Sequence, residues 1–175
     1  IMNCIKCGNL TNMVIPKGDN RYREVCSSCG NIFYENPKIV VGVLPVLHDK
    51  ILLCKRDIEP GFGKWTVPSG FMELNESLEE GALREAKEEA NLDIKLLKLY
   101  CTYSLPRVGQ VYFVYLGKIL NDDYAAMDET SEVKLFRYDE IPKDLIAFSS
   151  VIFFLERYAE DFNNNKSFLF HSNFK

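Results

Sequence analysis

Three glutamates in the middle of the chain have a spacing that suits a metal ion. Glu85, Glu88 and Glu89 stand at positions i, i+3 and i+4, which lie on one side of an α-helix. Like charges this close repel each other, so the cluster is costly unless something neutralises it. Magnesium favours carboxylate oxygen and usually keeps water and substrate phosphates as further ligands. The spacing therefore indicates magnesium-dependent phosphate chemistry, with an ordinary solvated helix as the alternative.

Four cysteines near the N-terminus form two close pairs. Cys4 and Cys7 make one C-x2-C pair, and Cys26 and Cys29 make the other, with eighteen residues between the pairs. This spacing predicts a structural zinc site of four thiolates, with free or disulfide-bonded cysteines as the alternative. A zinc site closed by four protein ligands contributes to folding and leaves no position open for catalysis.

Composition and charge limit the class of protein. The chain has 175 residues, a hydrophobic fraction of 47% and a formal net charge of −4. This length suits one medium domain plus a small appendage, and the charge gives no reason to expect strong nucleic-acid binding. We find no apolar run of membrane-spanning length and no signal-peptide core. Cysteines paired for metal binding favour a reducing compartment, so we expect a cytoplasmic protein with no membrane partner.

Three segments differ in composition, and we predict that they are separate. Residues 2–36 are rich in Cys, Gly, Asn and Lys, which predicts a small zinc ribbon. Asn36-Pro37 marks its end, because the residue before proline prefers extended geometry. Residues 37–162 are the predicted main domain, and residues 163–175 form a polar tail to which we assign no structure.

The main domain alternates between strand and helix patterns, which predicts an α/β sandwich with helices packed on a mixed sheet. The predicted strands are Ile39–Leu47, Ile51–Arg56, Trp65–Val67, Leu96–Tyr103, Gln110–Ile119 and Glu132–Tyr138. A helix is predicted near the C-terminus at Val151–Phe162. The glutamates belong to another helix, from Ser77 to about Ala90, which Asn75 or Ser77 can cap.

The glutamate helix carries an apolar stripe that would seat it on the sheet. The stripe consists of Leu78, Ala82, Leu83, Ala86 and Ala90. Arg84 directly precedes the glutamates and can orient a carboxylate or contact a phosphate with two hydrogen bonds.

The segment from Gly70 to Leu92 resembles the Nudix box, G-x5-E-x7-R-E-U-x-E-E-x-G-U, in which U is apolar. The matching residues are Gly70, Glu76, Arg84, Glu85, Ala86, Glu88, Glu89 and Leu92. Asn91 stands where the pattern has its last glycine, and asparagine tolerates the left-handed conformation of a helix C-cap. The resemblance implies a Nudix hydrolase: an α/β/α sandwich with a mixed sheet that cuts the diphosphate bond of a nucleotide derivative.

The resemblance also implies which residues act. Glu85, Glu88 and Glu89 would bind two or three Mg²⁺ (or Mn²⁺) ions, helped by the carbonyl of Ser69. Glu76 would support the geometry of the loop and the helix, and binding of a further metal ion is the alternative role for it.

A general base is also required. It would be Glu85 or a carboxylate outside the box, for which Glu129 and Glu132 are candidates. For these two, solvated loop acids are the alternative.

Longer stretches of the chain resemble one branch of the Nudix family. These stretches are ENPKIVVGVL, ILLCKRDIEPGFGKWTVPSGFME, PRVGQVYFVYLGK and LFRYDEIPKDLIAFSS. They are similar to the zinc-ribbon enzyme of plant plastids that hydrolyses FAD to FMN and AMP and accepts ADP-ribose, and to its bacterial relatives. This implies FAD or ADP-ribose as the substrate and, by analogy only, a homodimer.

Two alternatives stay open. NAD(H) is the first, although we do not find the SQPWPFPxS motif of the zinc-ribbon NADH pyrophosphatases. A zinc-ribbon nucleic-acid-binding protein with a non-catalytic Nudix domain is the second, and it belongs to a different functional class.

Several residues outside the box are candidates for binding a nucleotide substrate. Arg56 and Arg107 are candidates for phosphate contacts. Trp65, Phe71 and Tyr103 are candidates for stacking on a ring, as is Phe148, although aromatic residues in such positions are more often part of a core.

Overall fold

The structure is a computed structural model, and it describes residues 2–164 and 170–173. The chain divides into two compact units, of which the first ends at Asn36 and the second begins at Pro37. The predicted tail, residues 163–175, lies partly outside the described residues; its described part is the end of a helix and a short strand.

The first unit is a small three-stranded antiparallel sheet with two tight turns. Its strands are β1 (Thr11–Val14), β2 (Arg23–Cys26) and β3 (Ile32–Phe33). Each C-x2-C pair closes a turn in which a glycine amide donates to the carbonyl of the first cysteine: Gly8 to Cys4 at 2.8 Å and Gly30 to Cys26 at 3.1 Å. Both glycines have positive φ, which glycine adopts without a steric penalty.

The two turns bring the four cysteine sulfurs together. All four Sγ atoms lie within 4.8 Å of one another. The Cys4–Cys29 and Cys7–Cys26 sulfur distances are 3.7 and 3.4 Å. Tetrahedral zinc–thiolate bonds place sulfurs about 3.8 Å apart. The arrangement fits one zinc ion.

The second unit is built on one mixed sheet, which contains eight strands among the described residues. They are β4 (Lys38–Leu47), β5 (Lys50–Arg56), β6 (Trp65–Thr66), β7 (Ser69–Phe71), β8 (Ile94–Leu105), β9 (Gln110–Ile119), β10 (Thr130–Arg137) and β11 (Phe170–Asn173). Six of them follow the order β10-β5-β4-β9-β8-β11, while β6 pairs with β5 and β7 pairs with β4. The helices are α1 (Leu78–Ala90) and α2 (Ser149–Asn164).

Strand β4 organises the sheet. One edge of it pairs in parallel with β9 over nine residues. The other edge serves two partners: β5, where Val46 faces Ile51, and β7, where Val41 faces Gly70. Because β5 pairs with β6 further along, the segment β6–β7 fills the space between β4 and the rest of β5.

Alternation along β5 shows how the two helices are arranged. Leu52 and Cys54 belong to a buried cluster that contains the alanines of α1. Ile51 and Leu53 belong to a second buried cluster that contains residues of α2. Successive side chains of a strand point to opposite faces, so α1 and α2 cover opposite sides of the sheet. The predicted α/β/α sandwich with a mixed sheet is confirmed.

Helix α1 begins and ends on specific capping residues. Ser77 is the N-cap: its side chain accepts from the Glu80 amide at 3.2 Å, and Glu80 accepts from the Ser77 amide at 2.7 Å. Asn91 is the C-cap, with φ of 50°. The apolar stripe differs from the prediction at Leu83, which is exposed; Gly81 takes its place, since the helix turns that position toward Val41.

The strand boundaries differ modestly from the predictions. Strand β8 extends beyond Leu96–Tyr103 at both ends, and two register shifts interrupt its alternation, which shortened the pattern in the sequence. Strand β11 pairs in parallel with β8 and was not predicted. In the described part of the chain, no helix has the length and apolarity needed to cross a membrane.

The four-cysteine site generates a prediction about zinc. We expect purified protein to contain one zinc ion per chain, and Cys26→Ser to lose it, because a three-ligand site of this type binds zinc much more weakly. Elemental analysis and a chromogenic chelator assay measure the metal. Cys101→Ala, in the buried core, is the matched control and is expected to retain zinc. A metal content far below one per chain in the wild type would contradict the prediction.

Candidate active site

The three glutamates of α1 are not equivalent in the fold. Glu85 and Glu89 lie one turn apart on the face that packs against the sheet, and they are only 9% and 8% exposed. Glu88 lies on the outer side, and its side chain is 54% exposed. All three line the same cavity.

This cavity has a volume of about 790 Å³ and is strongly acidic. One arginine lines it, whereas its carboxylates are Glu59, Glu73, Glu85, Glu88, Glu89, Asp128 and Glu129 among the described residues. An anionic ligand would be repelled from such a surface unless cations were bound there.

Arg84 connects the parts of the acidic segment. Its guanidinium donates two hydrogen bonds to Glu76, at 2.9 and 3.0 Å. It also donates to Glu85 at 2.7 Å, to Glu88 at 2.9 Å and to the carbonyl of Phe71 at 3.0 Å. The Arg84 hydrogen bonds lower the pKa of Glu76 to about 2. One guanidinium thus links the loop before α1 to two of the three helix carboxylates.

The buried glutamates have too little positive charge around them. Burial raises the pKa of Glu85, and burial together with the charge of Glu85 raises the pKa of Glu89 to about 8. A hydrogen bond from the main chain of Ser69 opposes this shift at Glu89. Arg84 is shared with Glu76 and Glu88, so it cannot neutralise the buried pair by itself. A group of hard oxygen donors that lacks counter-charge fits a divalent cation such as Mg²⁺.

Gly70 makes room for Glu85. A Cβ atom on Gly70 would overlap the carboxylate of Glu85, because β7 passes directly beside α1 at this point. A hydrogen in place of a side chain lets the carboxylate approach the strand backbone. The first residue of the acidic segment therefore sets the position of one of its glutamates.

The two candidate bases outside α1 lie in different surroundings. Glu129 lines the cavity, and its charge contributes to the raised pKa values of Glu85 and Glu89. Glu132 does not line the cavity; it lies on β10, half-exposed, and pairs with Lys55 at 3.4 Å. Of the two, Glu129 is the one within reach of a reaction in this cavity.

Arg56 is the arginine that lines the cavity. Its Nε donates to the carbonyl of Pro60 at 2.7 Å, and its guanidinium lies over the ring of Phe148, 5.3 Å from the centroid. Its charge also opposes the raised pKa of Glu89 and of Tyr112. Arg56 therefore lies close to both Glu89 and the ring of Phe148.

The other predicted substrate contacts are distributed differently. Phe71 lines the cavity and is 48% exposed. Trp65 and Tyr103 are buried in the core on the α2 side of the sheet, where they contact Phe136 and Phe154 edge-on. Arg107 is exposed in the turn between β8 and β9 and does not line the cavity.

Two uncharged polar residues of the cavity were not singled out in the sequence. Gln110 and Tyr112 are two residues apart on β9, so their side chains lie on the same face of the strand and both line the cavity. The Tyr112 hydroxyl donates to the Gln110 side-chain oxygen at 3.2 Å. Their i, i+2 spacing at the start of a predicted strand was the available signal. Leu105 and Val108 complete this wall from the adjoining strand end and turn.

Comparison with known families agrees with this geometry. The NUDIX domain family matches residues 36–155, and the Nudix N-terminal zinc-ribbon family matches residues 3–35. The chain belongs to the Nudix family of hydrolases. The Nudix box of this enzyme is the segment that carries Gly70, Arg84 and the three glutamates.

Individual Nudix proteins resemble the chain over most of its length. It is 32% identical to an ADP-ribose pyrophosphatase of Methanocaldococcus jannaschii over 63% of the chain and 68% of that protein. It is 30% identical to the NAD-capped RNA hydrolase NudC of Edwardsiella ictaluri over 80% of the chain, and it spans only 53% of that relative. The crystal structure of a NUDIX hydrolase from Nitrosomonas europaea superposes with a TM-score of 0.94 at 43% identity, covering 99% of this chain and 100% of that one.

The close approach of Gly70 and Glu85 generates a prediction. We expect Gly70→Ala to lower kcat/KM at least about tenfold, because the new methyl group displaces a Nudix-box carboxylate by an ångström or more. Steady-state kinetics on a dinucleoside-type diphosphate would measure the loss. Gly117→Ala is the matched control: its Cβ would lie 2.6 and 2.7 Å from Ile94 and Val43, so it should cost stability without lowering kcat. If Gly70→Ala and Gly117→Ala lowered kcat/KM equally, the role of Gly70 in positioning the Glu85 carboxylate would be contradicted.

Proposed function

We propose that this Nudix enzyme hydrolyses the diphosphate bond of an adenine nucleotide derivative, with ADP-ribose as the best-supported substrate and FAD as a second. The observation that carries the proposal is one cavity that is lined by the Nudix-box glutamates, by Arg56 and by aromatic side chains. Cations held by the glutamates and the Arg56 guanidinium would bind a diphosphate, and the aromatic side chains would contact a ring.

The metal-binding role falls to the three glutamates of the Nudix box. Glu85, Glu88 and Glu89 would hold Mg²⁺ or Mn²⁺, which would make the attacking water more acidic and neutralise the leaving phosphate. Arg84 keeps two of these carboxylates in place by direct hydrogen bonds. Ser69 lies beside Glu89, where its main chain supports that carboxylate, and we retain its carbonyl as a proposed additional ligand.

Glu129 is our proposed general base. A carboxylate oxygen of Glu129 takes a proton from water, the water oxygen attacks one phosphorus, and the P–O bond to the bridging oxygen breaks. The second phosphate leaves with the electron pair of that bond, so atoms and charge balance. Glu129 is preferred to Glu132, which is turned toward Lys55, and to Glu85, which Arg84 already occupies.

The diphosphate and the rings of the substrate would contact the remaining wall. Arg56 has its Nε committed to Pro60, and its terminal nitrogens are the proposed donors to the diphosphate. Phe148, Phe71 and Tyr112 are the proposed contacts for the rings. Trp65, Tyr103 and Arg107 have no such role in this proposal, because they do not line the cavity.

The relatives favour ADP-ribose over the other substrates. The similarity to the ADP-ribose pyrophosphatase covers about two thirds of each of the two chains. FAD rests on the resemblance to the plastid branch. NAD(H), or an NAD cap on RNA, is the second candidate because of the similarity to NudC, about half of whose length the chain spans. We also propose that the protein is cytoplasmic and forms a homodimer. Sedimentation velocity can test the oligomeric state.

A substrate panel tests the proposed reaction. With Mg²⁺ present, we expect ADP-ribose and FAD to be hydrolysed, each with release of AMP, at a higher kcat/KM than NADH, CoA or NAD-capped RNA. EDTA in excess should abolish turnover, because the carboxylates cannot activate water without cations. Full turnover in EDTA would refute the proposed metal dependence, and salt-dependent nucleic-acid binding with no hydrolysis of any diphosphate would refute the proposed reaction.

A single substitution tests the proposed metal-binding role. We expect Glu89→Gln to lower kcat by about 10²-fold or more, because electrostatic stabilisation of a developing charge is commonly of that size. The variant should unfold at the same or higher denaturant concentration, since it removes a buried charge. Glu132→Gln, outside the cavity, is the control and should retain activity. A fully active Glu89→Gln enzyme would exclude this residue as a metal ligand.

A further inference from the structure

The C-cap of α1 departs from the Nudix pattern, and the structure gives that departure a role. Asn91 has φ of 50°, the left-handed conformation for which the pattern has glycine. Its side-chain amide Nδ2 donates to the carbonyl of Asp123 at 2.8 Å. A glycine would adopt this backbone conformation more easily but could not donate this hydrogen bond.

The segment that Asn91 contacts, residues 121–130, is attached to the end of α1 by further bonds. The amide of Ala125 donates to the carbonyl of Ala90 at 3.0 Å, and the amide of Met127 donates to the carbonyl of Glu89 at 3.2 Å. The last carbonyls of a helix have no partner inside the helix, so they are available to a neighbouring segment. Three successive residues at the end of α1, from Glu89 to the C-cap Asn91, therefore hold one loop.

This loop ends on the proposed base. Thr130 donates to the carbonyl of Met127 at 3.1 Å, and the carbonyl of Glu129 accepts from the amide of Asp57 at 2.8 Å. Glu129 has φ of 59°, a conformation that is unfavourable for a residue with a long side chain. Such a conformation persists only when surrounding contacts hold it. The contacts here are the hydrogen bonds at the two ends of the loop.

We propose that Asn91 is a positioning residue for Glu129. Its side-chain amide holds the start of the loop against α1, so that the carboxylate at the end of the loop stays beside the metal-binding glutamates. The inference rests on the proposed function, because it assigns Asn91 an effect on a reaction that Glu129 assists. Asn91 itself does not line the cavity and contacts no substrate in this proposal.

The test begins with Asn91→Gly, which keeps the left-handed backbone and deletes the side-chain amide. We expect kcat for ADP-ribose to fall about tenfold, because a misplaced reacting group commonly costs at least that much. KM should change less than twofold, since the cavity wall that binds substrate is untouched. The melting temperature should not fall, because glycine relieves the left-handed strain. Asn91→Asp retains the shape but lacks the donor, and it should lose kcat to the same extent or more.

A double-mutant cycle tells positioning of Glu129 from a general structural effect. In a Glu129→Gln background, Asn91→Gly should lower kcat less than twofold further, because its effect passes through the residue already removed. An undiminished tenfold loss in that background would overturn the inference, as would wild-type kcat in Asn91→Gly alone.

The matched control is His48→Gly, in the turn between β4 and β5. His48 also has positive φ, at 56°, and it does not line the cavity, so the variant relieves the same type of strain and should keep wild-type kcat. If the wild type cleaves no diphosphate at all, the proposed function fails. If the wild type is active and the effects of Asn91→Gly and Glu129→Gln on kcat are additive, the inference about Asn91 fails and the proposed function stands.

Discussion

Two carboxylates buried side by side without enough counter-charge are the constraint on which this structure depends. Glu85 and Glu89 lie on the face of α1 that packs against the sheet, where burial is the largest cause of the raised pKa of both side chains. A protein retains such an arrangement at the expense of stability, and the proposed catalytic cations would relieve it. Arg84 shares its charge among three carboxylates, which holds their geometry without cancelling their field.

Small residues make this burial geometrically feasible. Helix α1 presents Ala82, Ala86 and Ala90 to the sheet, so that its axis can approach closely. Gly70 and Gly81 remove side chains where the helix meets β7 and β4, and each has a carboxylate in the freed space: Glu85 at the first and Glu76 at the second. The position of the acidic groups is therefore set by the absence of atoms as much as by hydrogen bonds.

Much of the fold could be predicted because it follows from local patterns. The zinc ribbon follows from cysteine spacing, and α1 follows from a capping serine and the periodicity of its alanines. The exposure of Leu83 could not be predicted, because it lies at the border of the apolar stripe. Only the strands that pack against α1 define how wide the buried part of that stripe is. The choice between Glu129 and Glu132 was also open, since a left-handed residue and a bulge in β10 turn the two side chains in different directions.

The aromatic residues show the same limit more clearly. Trp65 and Phe71 lie six positions apart in one short segment, yet one is in the core and the other lines the cavity. Sequence alone describes both as large and apolar. Gln110 and Tyr112 were missed because polar residues at the start of a strand are common, and their direction depends on which face of β9 covers the cavity.

The segment from β6 to β7 and the loop at residues 57–64 differ in how much sequence change they tolerate. A Cβ atom on Gly42 would overlap Ser69 and the Pro68 carbonyl, so the segment from β6 to β7 tolerates little alteration in length or bulk.

The loop at residues 57–64 is closed at its base, where the amide of Arg56 donates to the carbonyl of Lys64 at 2.9 Å. A closed base lets a loop change length and composition at little cost to the sheet. Ile58, Glu59 and Pro60 of this loop reach the cavity. Changes in this loop can therefore alter the wall of the cavity while the acidic helix α1 stays the same.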